Sequence, residues 1–139
     1  MKKKLWQLFL FLALTLLLAL TAAAETAVFV RDGGDGDGSS ASAPLGDLDD
    51  ALYAVQDGGT VVICGPYTIG AKFVAPTNTA PITITSVYGG QDYRYAEKAA
   101  LYFAGNYFCG GETLFCDIDI VNTKNGLGIF GYFSKLTLG

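Results

Sequence analysis

An aspartate- and glycine-rich stretch near the N-terminus holds the sharpest pattern of potential metal ligands in the sequence. Asp32, Asp35 and Asp37 alternate with glycines in the segment DGGDGDG. Carboxylate and backbone carbonyl oxygens at such spacing can wrap a calcium ion. An EF-hand loop would end on a bidentate glutamate, but the twelfth position counted from Asp32 is Ala43. A plain connecting loop is therefore favoured, and calcium is the alternative in a chain that we otherwise expect to carry no cofactor.

A second acidic pair, Asp117 and Asp119, alternates with Ile118 and Ile120 in a strand-like segment. Alternate residues of a strand share one face, so both carboxylates are expected on the same side, ~7 Å apart. Paired carboxylates perform acid–base chemistry in glycosidases. Alternating aspartates are also the ordinary solvent face of a strand, and no Arg or Lys stands in an obvious position beside this pair. We therefore expect no catalytic residues here.

Three tyrosines and an arginine cluster in a glycine-containing segment between predicted strands, namely Tyr88, Tyr93, Arg94 and Tyr95. Loops between the strands of repetitive β-structures often form binding surfaces. Tyrosine rings stacked on sugars would suit contact with polysaccharide or cell-wall components. Packing of the same rings back onto the protein is an equal alternative.

The chain contains no histidine, which excludes Ser-His-Asp and Cys-His catalysis as well as histidine metal sites. Its three cysteines, Cys64, Cys109 and Cys116, are odd in number and lack zinc-ligand spacing. Cys109 and Cys116 could pair under oxidising conditions, but free thiols buried in a sheet are the favoured interpretation. P-loop and GxGxxG patterns are absent, so no nucleotide site is expected.

Residues 1–24 have the three parts of a secretory signal peptide. Lysines at positions 2–4 precede a leucine-rich run, and Ala22-Ala23-Ala24 supplies the small residues of a cleavage site. The mature chain would begin at Glu25. The alternative is a retained anchor, because the apolar stretch is just long enough to span a bilayer. We expect cleavage, contact with a membrane only through this segment, and an extracellular or cell-surface location.

The charge that remains after cleavage is acidic. All 13 acidic residues follow Ala24, whereas only six of the nine basic residues do. A basic surface for nucleic acid is therefore not indicated, and no nucleic-acid partner is expected. Eighteen glycines, nine phenylalanines and eight tyrosines are typical of a β-rich domain with many turns.

The first elements predicted after the cleavage site are a strand over Ala27–Val30, a loop over residues 31–44 and one helix over Leu48–Gln56. Asp47 is a suitable N-cap, and Asp57-Gly58-Gly59 ends the helix. The apolar stripe of this helix consists of Leu48, Leu52 and Val55. A short helix with a single stripe is expected to cover another element.

From Thr60 onward the pattern is one of short strands closed by Gly, Pro or Asn, with one possible helical stretch over Ala96–Ala100. The predicted strands cover residues 60–64, 73–74, 82–85, 100–103, 113–121, 127–130 and 135–138. Strand starts at Thr60, Ile82 and Ala100 are separated by 22 and 18 residues, which fits one turn of a solenoid. The side chains expected to form one continuous core include Val62, Ile84, Leu101 and Ile118.

In this order, the parts resemble the N-terminal cap and first rungs of secreted right-handed parallel β-helix proteins with a pectate-lyase-like fold. The resemblance lies in Pro44-Leu45-x-x-Leu48-x-x-Ala51 and in DGGTVVICG at residues 57–65. Segments 80–94, 100–123 and 128–139 resemble rungs of large bacterial cell-surface β-helix proteins.

The resemblance implies an all-β fold, a right-handed parallel β-helix with a short N-terminal capping helix and an incomplete C-terminal end. The implied divisions are a signal peptide (1–24), a strand, loop and capping helix (25–59) and the first rungs of the β-helix (60–139). The expected function is a non-catalytic exported module for cell-surface adhesion or carbohydrate contact. The alternative is the N-terminal fragment of a polysaccharide lyase or glycoside hydrolase whose catalytic rungs lie beyond residue 139.

Overall fold

The computed structural model describes residues 25–70, 72–123, 128–131 and 136–138. The predicted signal peptide at residues 1–24 lies outside the described residues, as do parts of the last two predicted strands.

The described chain is mostly short strands with few helices, as expected for an all-β protein. The helices are α1 (Leu48–Ala54) and α2 (Tyr93–Ala96). The strands, in chain order, are β1 (Ala27–Val30), β2 (Gly59–Ile63), β3 (Pro66–Ile69), β4 (Phe73–Val74), β5 (Ile82–Thr85), β6 (Val87–Tyr88), β7 (Gln91–Asp92), β8 (Ala100–Phe103), β9 (Tyr107–Cys109), β10 (Thr113–Phe115), β11 (Asp119–Asn122), β12 (Ile129–Gly131) and β13 (Leu136–Leu138).

Most of the strands pair in parallel, within three sheets. The first sheet has the order β1-β2-β5-β10-β13, the second β11-β8-β3 and the third β12-β9-β4. From β2 onward the chain visits the first, second and third sheets in turn and then returns to the first. We call one passage through the three sheets a circuit. Each strand pairs with its counterpart from the previous circuit, so strands that follow one another in sequence do not form hairpins in these sheets.

The length of one circuit follows from the strand register. Gly59 pairs with Ile82, and Thr113 pairs with Leu136, both 23 positions apart. Ile82 and Thr113 also pair, although they are 31 positions apart. The longer circuit contains β6, β7 and α2, a segment outside the three sheets that we call the insertion (residues 86–99). The predicted spacing of 18 residues between Ile82 and Ala100 is not one circuit, because Ile82 lies in the first sheet and Ala100 begins β8 of the second.

Alternation along the strands builds the core. Val28, Val61, Ile84 and Phe115 stand in register across the first sheet, and all four are buried in the main cluster. Leu101 of the second sheet and Tyr107 of the third sheet belong to the same cluster. Burial of each large apolar side chain contributes ~1.5–3 kcal/mol, so these rows are a large share of the stabilisation.

One of the four core predictions was wrong. Ile84 and Leu101 lie in the main cluster, and the partly buried Ile118 packs against it. Val62 instead belongs to a second cluster, with Phe29 and Cys64. In β2 the residues that face the main core are Val61 and Ile63, so Val62 between them must point to the opposite face.

Helix α1 covers the main core as predicted but is shorter than expected. The Asp47 carboxylate accepts a hydrogen bond from the Asp49 backbone N–H at 2.8 Å, which caps the N-terminus. Leu48, Leu52 and Val55 are buried in the main cluster. The helix ends at Ala54 rather than Gln56, because Val55 already has non-helical backbone angles. The Val55 N–H donates to the Tyr53 carbonyl oxygen.

Other boundaries also differ from the predictions. The single strand predicted over residues 113–121 is two strands, because Asp117 adopts a left-handed backbone conformation (φ +48°) between β10 and β11. The stretch predicted as a possible helix at Ala96–Ala100 is the end of α2 followed by a loop and the start of β8. Strands β3, β6, β7 and β9 were not predicted.

Candidate functional site

The insertion carries all four predicted carbohydrate-contact residues. Strands β6 and β7 pair antiparallel as a hairpin, and Gly89 and Gly90 form its turn with positive φ angles of 59° and 81°. Such angles are accessible to glycine at no steric cost, which is why the two glycines stand together here. Helix α2 follows the hairpin directly, and the Asp92 carboxylate caps it by accepting from the Arg94 backbone N–H.

Two of the tyrosines pack back onto the protein. The Tyr88 and Tyr93 rings contact the Phe29 ring edge-to-face, with centroids 5.7 and 6.2 Å apart. Phe29, Val62 and Cys64 form the second cluster on the outer face of the first sheet, and both tyrosines pack against it. The insertion therefore serves first as a cover for this apolar outer face.

Arg94 is held by two carboxylates. Its Nε donates to Asp92 Oδ1 at 3.0 Å, and its Nη2 donates to Asp92 Oδ2 at 2.6 Å. Asp117 Oδ1 lies 3.8 Å from the same Nη2. The hydrogen bonds with Asp92 raise the pKa of Arg94, and those with Arg94 lower the pKa of the Asp92 carboxyl. The guanidinium is therefore a fixed positive charge on the surface of the insertion.

Tyr95 is the tyrosine of this group that faces solvent. It is 85% exposed, and the Arg94 guanidinium carbon lies 5.9 Å from its ring centroid. An aromatic ring beside a fixed cation, both on the short helix α2, is an arrangement that can stack on a ligand and hydrogen-bond it at once. The structure thus brings Arg94 and Tyr95 together and directs Tyr88 and Tyr93 inward.

The three calcium candidates have separate local roles. Asp32 Oδ2 accepts from the Thr68 N–H at 3.0 Å, and the Asp32 N–H donates to the Pro66 carbonyl, so Asp32 covers the edge of β3. Asp37 accepts from the Ser39 N–H, and hydrogen bonding with Ser39 lowers the pKa of Asp37. Asp35 is exposed. Among the described residues, no three Asp, Glu, Cys or His side chains are grouped to hold a metal ion.

The expectation that Asp117 and Asp119 share one strand face was wrong. Asp117 lies in the left-handed turn before β11, whereas Asp119 begins that strand. The Asp117 carboxylate is directed towards Arg94 of the insertion. Asp117 therefore does not belong to the strand that Asp119 begins.

No disulfide joins any two of the three cysteines, and Cys64 and Cys109 are buried as the favoured interpretation expects. Cys116 differs, because it is only half-buried and lies outside the strands. The Cys64 thiol lies 3.4 Å from the Val30 carbonyl, to which it donates. Burial raises the pKa of this thiol, so it stays protonated at neutral pH.

A cleft that the sequence did not indicate lies beside the start of α1. Asp47 and Asp49 line it on the side of α1, and the other lining residues are 67–69 of β3, Gly70, Lys72 and residues 73–74 of β4. Its volume is about 430 Å³. Asp47 and Tyr67 are 20 positions apart, so only the first circuit of the chain joins them, and no local motif could have revealed the site.

No protein-family model, curated protein or solved structure matches this chain. In the part of the chain that the structure describes, none of the helices has the length and apolar character needed to cross a membrane. The candidate site is therefore defined by its geometry alone: the Arg94–Tyr95 pair on the insertion, with Asp92 and Asp117 fixing the arginine.

Proposed function

We propose that this chain is the N-terminal part of an exported right-handed parallel β-helix that serves as a non-catalytic module for cell-surface adhesion or carbohydrate contact. The observation that carries the proposal is the repeated circuit through three parallel sheets around one core. A chain that returns to the same sheet with parallel pairing makes a crossover, and such crossovers are right-handed in nearly all proteins. Stacked circuits of this kind form solenoids with extended surfaces for binding.

The contact with carbohydrate is assigned to the insertion. Tyr95 offers an exposed ring, and Arg94 offers donors whose direction is fixed by Asp92. A sugar ring can stack its C–H face on an aromatic ring while its hydroxyl groups accept from a guanidinium. Tyr88 and Tyr93 pack against the second cluster and thereby hold the insertion, with this pair, against the first sheet.

The absence of catalysis is proposed on chemical grounds. The chain has no histidine, and the Asp117 carboxylate is directed towards Arg94. The ion pair gives Asp117 a partner within the protein, so we assign it to the positioning of Arg94 rather than to acid–base chemistry on a sugar. Release of unsaturated products from pectin by the purified chain, lost on Asp117→Ala, would favour the polysaccharide lyase alternative.

Export is tested on the protein recovered from outside cells. N-terminal sequencing should find Glu25 as the first residue, since Ala22-Ala23-Ala24 precedes it. Recovery of the protein in the membrane fraction with Met1 retained would contradict this part of the proposal.

The carbohydrate contact is tested by sedimentation of the purified chain with insoluble cell-wall polysaccharide. We expect Tyr95→Ala and Arg94→Gln to weaken the association several-fold. Tyr53→Ala is the matched control, because Tyr53 is a similarly solvent-facing tyrosine on α1, 54% exposed. Equal sedimentation of all variants, or none with the original chain, would contradict the assignment.

A further inference from the structure

The cleft beside α1 combines aromatic and charged walls. Asp47 and Asp49 line one side, and Tyr67, Lys72 and Phe73 line the other. Its volume of about 430 Å³ falls within the roughly 300–1,000 Å³ of small-molecule sites. Phe73 is half-buried and stacks on the buried Tyr107 ring at 5.2 Å, so this wall is fixed by the core.

The polar groups of the cleft retain hydrogen-bonding capacity. The Tyr67 hydroxyl oxygen accepts from the Leu48 N–H at 3.0 Å, which leaves its own O–H available to donate. Asp47 Oδ1 accepts from the Asp49 N–H, which leaves Oδ2 available. Among the described residues, no ion pair joins the Asp49 carboxylate to Lys72. The Lys72 ammonium lies over the Phe108 ring, 5.1 Å from its centroid, a contact that leaves its N–H groups able to donate. Burial raises the pKa of Tyr67, so its O–H persists at neutral pH.

The opposed charges select the ligand. An anionic ligand would meet Asp47 and Asp49, and a cationic ligand would meet Lys72, so either would meet a like charge in the lining of the same cleft. A neutral polyhydroxylated ring satisfies both walls, because hydroxyl groups donate to carboxylates and accept from an ammonium. Its apolar face can lie against Phe73 or Tyr67.

We propose that the cleft between the start of α1 and the β3–β4 segment binds a neutral saccharide unit. This site is separate from the Arg94–Tyr95 pair and does not depend on it. It lies next to the first circuit of the chain, where α1 covers the core.

The test is binding of glucose, galactose and mannose to the purified full chain, followed by saturation-transfer NMR in the millimolar range. We expect at least one of the three to bind, and Asp49→Asn and Lys72→Gln each to weaken that binding about tenfold, as loss of a hydrogen bond to a charged group does. Asp50→Asn and Lys98→Gln are matched controls, because they make the same charge changes outside the cleft. Both controls should bind as the original chain does.

Two further measurements, with charged sugars and with the Tyr95→Ala variant, test the ligand class and the location of the site. Galacturonate and glucosamine should bind more weakly than their neutral counterparts, and tighter binding of either would overturn the proposal. So would failure of all three neutral sugars to bind, or equal binding by the cleft and control variants. Tyr95→Ala should leave binding to the cleft unchanged, so failure at the insertion and failure at the cleft are told apart.

Discussion

The Tyr107 side chain is fully buried among aromatic rings, and no described residue offers its hydroxyl a hydrogen-bond partner. It stacks on Phe73 and meets Phe103 and Phe115 edge-to-face. The ring contributes to the core, whereas the buried hydroxyl opposes folding because it has lost its hydration.

We expect Tyr107→Phe to raise the free energy of unfolding by about 1 kcal/mol, because it removes an unsatisfied polar atom and keeps the ring. Urea denaturation measures the change. Tyr67→Phe is the contrasting variant and should lower the free energy of unfolding by about 1 kcal/mol, because the Leu48 N–H would lose its acceptor. A loss of stability on Tyr107→Phe would mean that a buried water bonds this hydroxyl.

At the scale of the elements, α1 acts through one face. Leu52 is 1% exposed within the main cluster, whereas its neighbour Tyr53 is 54% exposed. We expect Leu52→Ala to lower the free energy of unfolding by ~2–5 kcal/mol, because it leaves a cavity under the helix. Tyr53→Ala should change it by less than ~0.5 kcal/mol. Similar losses for the two variants in thermal denaturation would contradict the role of α1 as a cover.

The turn between β9 and β10 depends on a close approach of two backbones. A Cβ atom added at Gly110 would overlap the Pro76 carbonyl oxygen of the preceding circuit. We expect Gly110→Ala to lower the melting temperature clearly, because backbone atoms cannot move aside as a flexible side chain would. Gly70→Ala is the control, since nothing lies within 4 Å of a Cβ there. An equal, small effect of both substitutions would show that the turn has room to spare.

Elements with a strong local pattern were predictable from the sequence. The bounds of β1, β5 and β8 match the predicted strands, and Asp47 caps α1 as expected. Strand β3 was missed because it begins with Pro66 and only its last residue, Ile69, is buried. Strands β6, β7 and β9 were missed because they are only two or three residues long.

The orientation of the β2 side chains and the composition of the two candidate sites could not be predicted, because they depend on contacts between residues far apart in the sequence. Both Val61 and Val62 are apolar and fully buried, so alternation could not reveal which of them faces the main core. The packing of Tyr88 and Tyr93 was undecided because Phe29, their partner, is about 60 positions away. Asp49 and Lys72 line the same cleft for a similar reason: the first circuit brings together residues that no local sequence motif connects.

At the scale of the whole molecule, the described chain buries both faces of the first sheet at its start. Helix α1 packs on the core side, and the insertion packs on the outer side. The segment after β1 covers the edge of β1 that does not pair with β2. Leu45 forms a parallel β-bridge with Val30, and the Phe29 N–H donates to the Gly38 carbonyl. Apolar groups and edge hydrogen bonds are thus satisfied together at this end, which suppresses pairing with other chains.

This burial also sets the response to alkaline pH. Burial raises the pKa of the Cys64 thiol and of the Tyr67 and Tyr107 hydroxyls in the folded chain. In the unfolded chain these groups ionise near their ordinary values, roughly 8.5 for cysteine and 10 for tyrosine. Above those values the folded state binds more protons than the unfolded state, so the free energy of unfolding falls as pH rises. The stabilisation is complete below pH ~8 and is lost progressively above it.

We therefore expect the melting temperature to be level from pH ~7 to 8, to decline first as cysteine ionises and to decline more steeply above pH ~10. Cys64→Ala should remove much of the first decline, and Tyr107→Phe should reduce the second. Cys116→Ala is the control for the first step, because Cys116 is only half-buried and the substitution should leave the decline in place. Calorimetry across this range measures the decline. A first decline unaltered in Cys64→Ala would refute the argument, since the protons released on unfolding would then come from other groups.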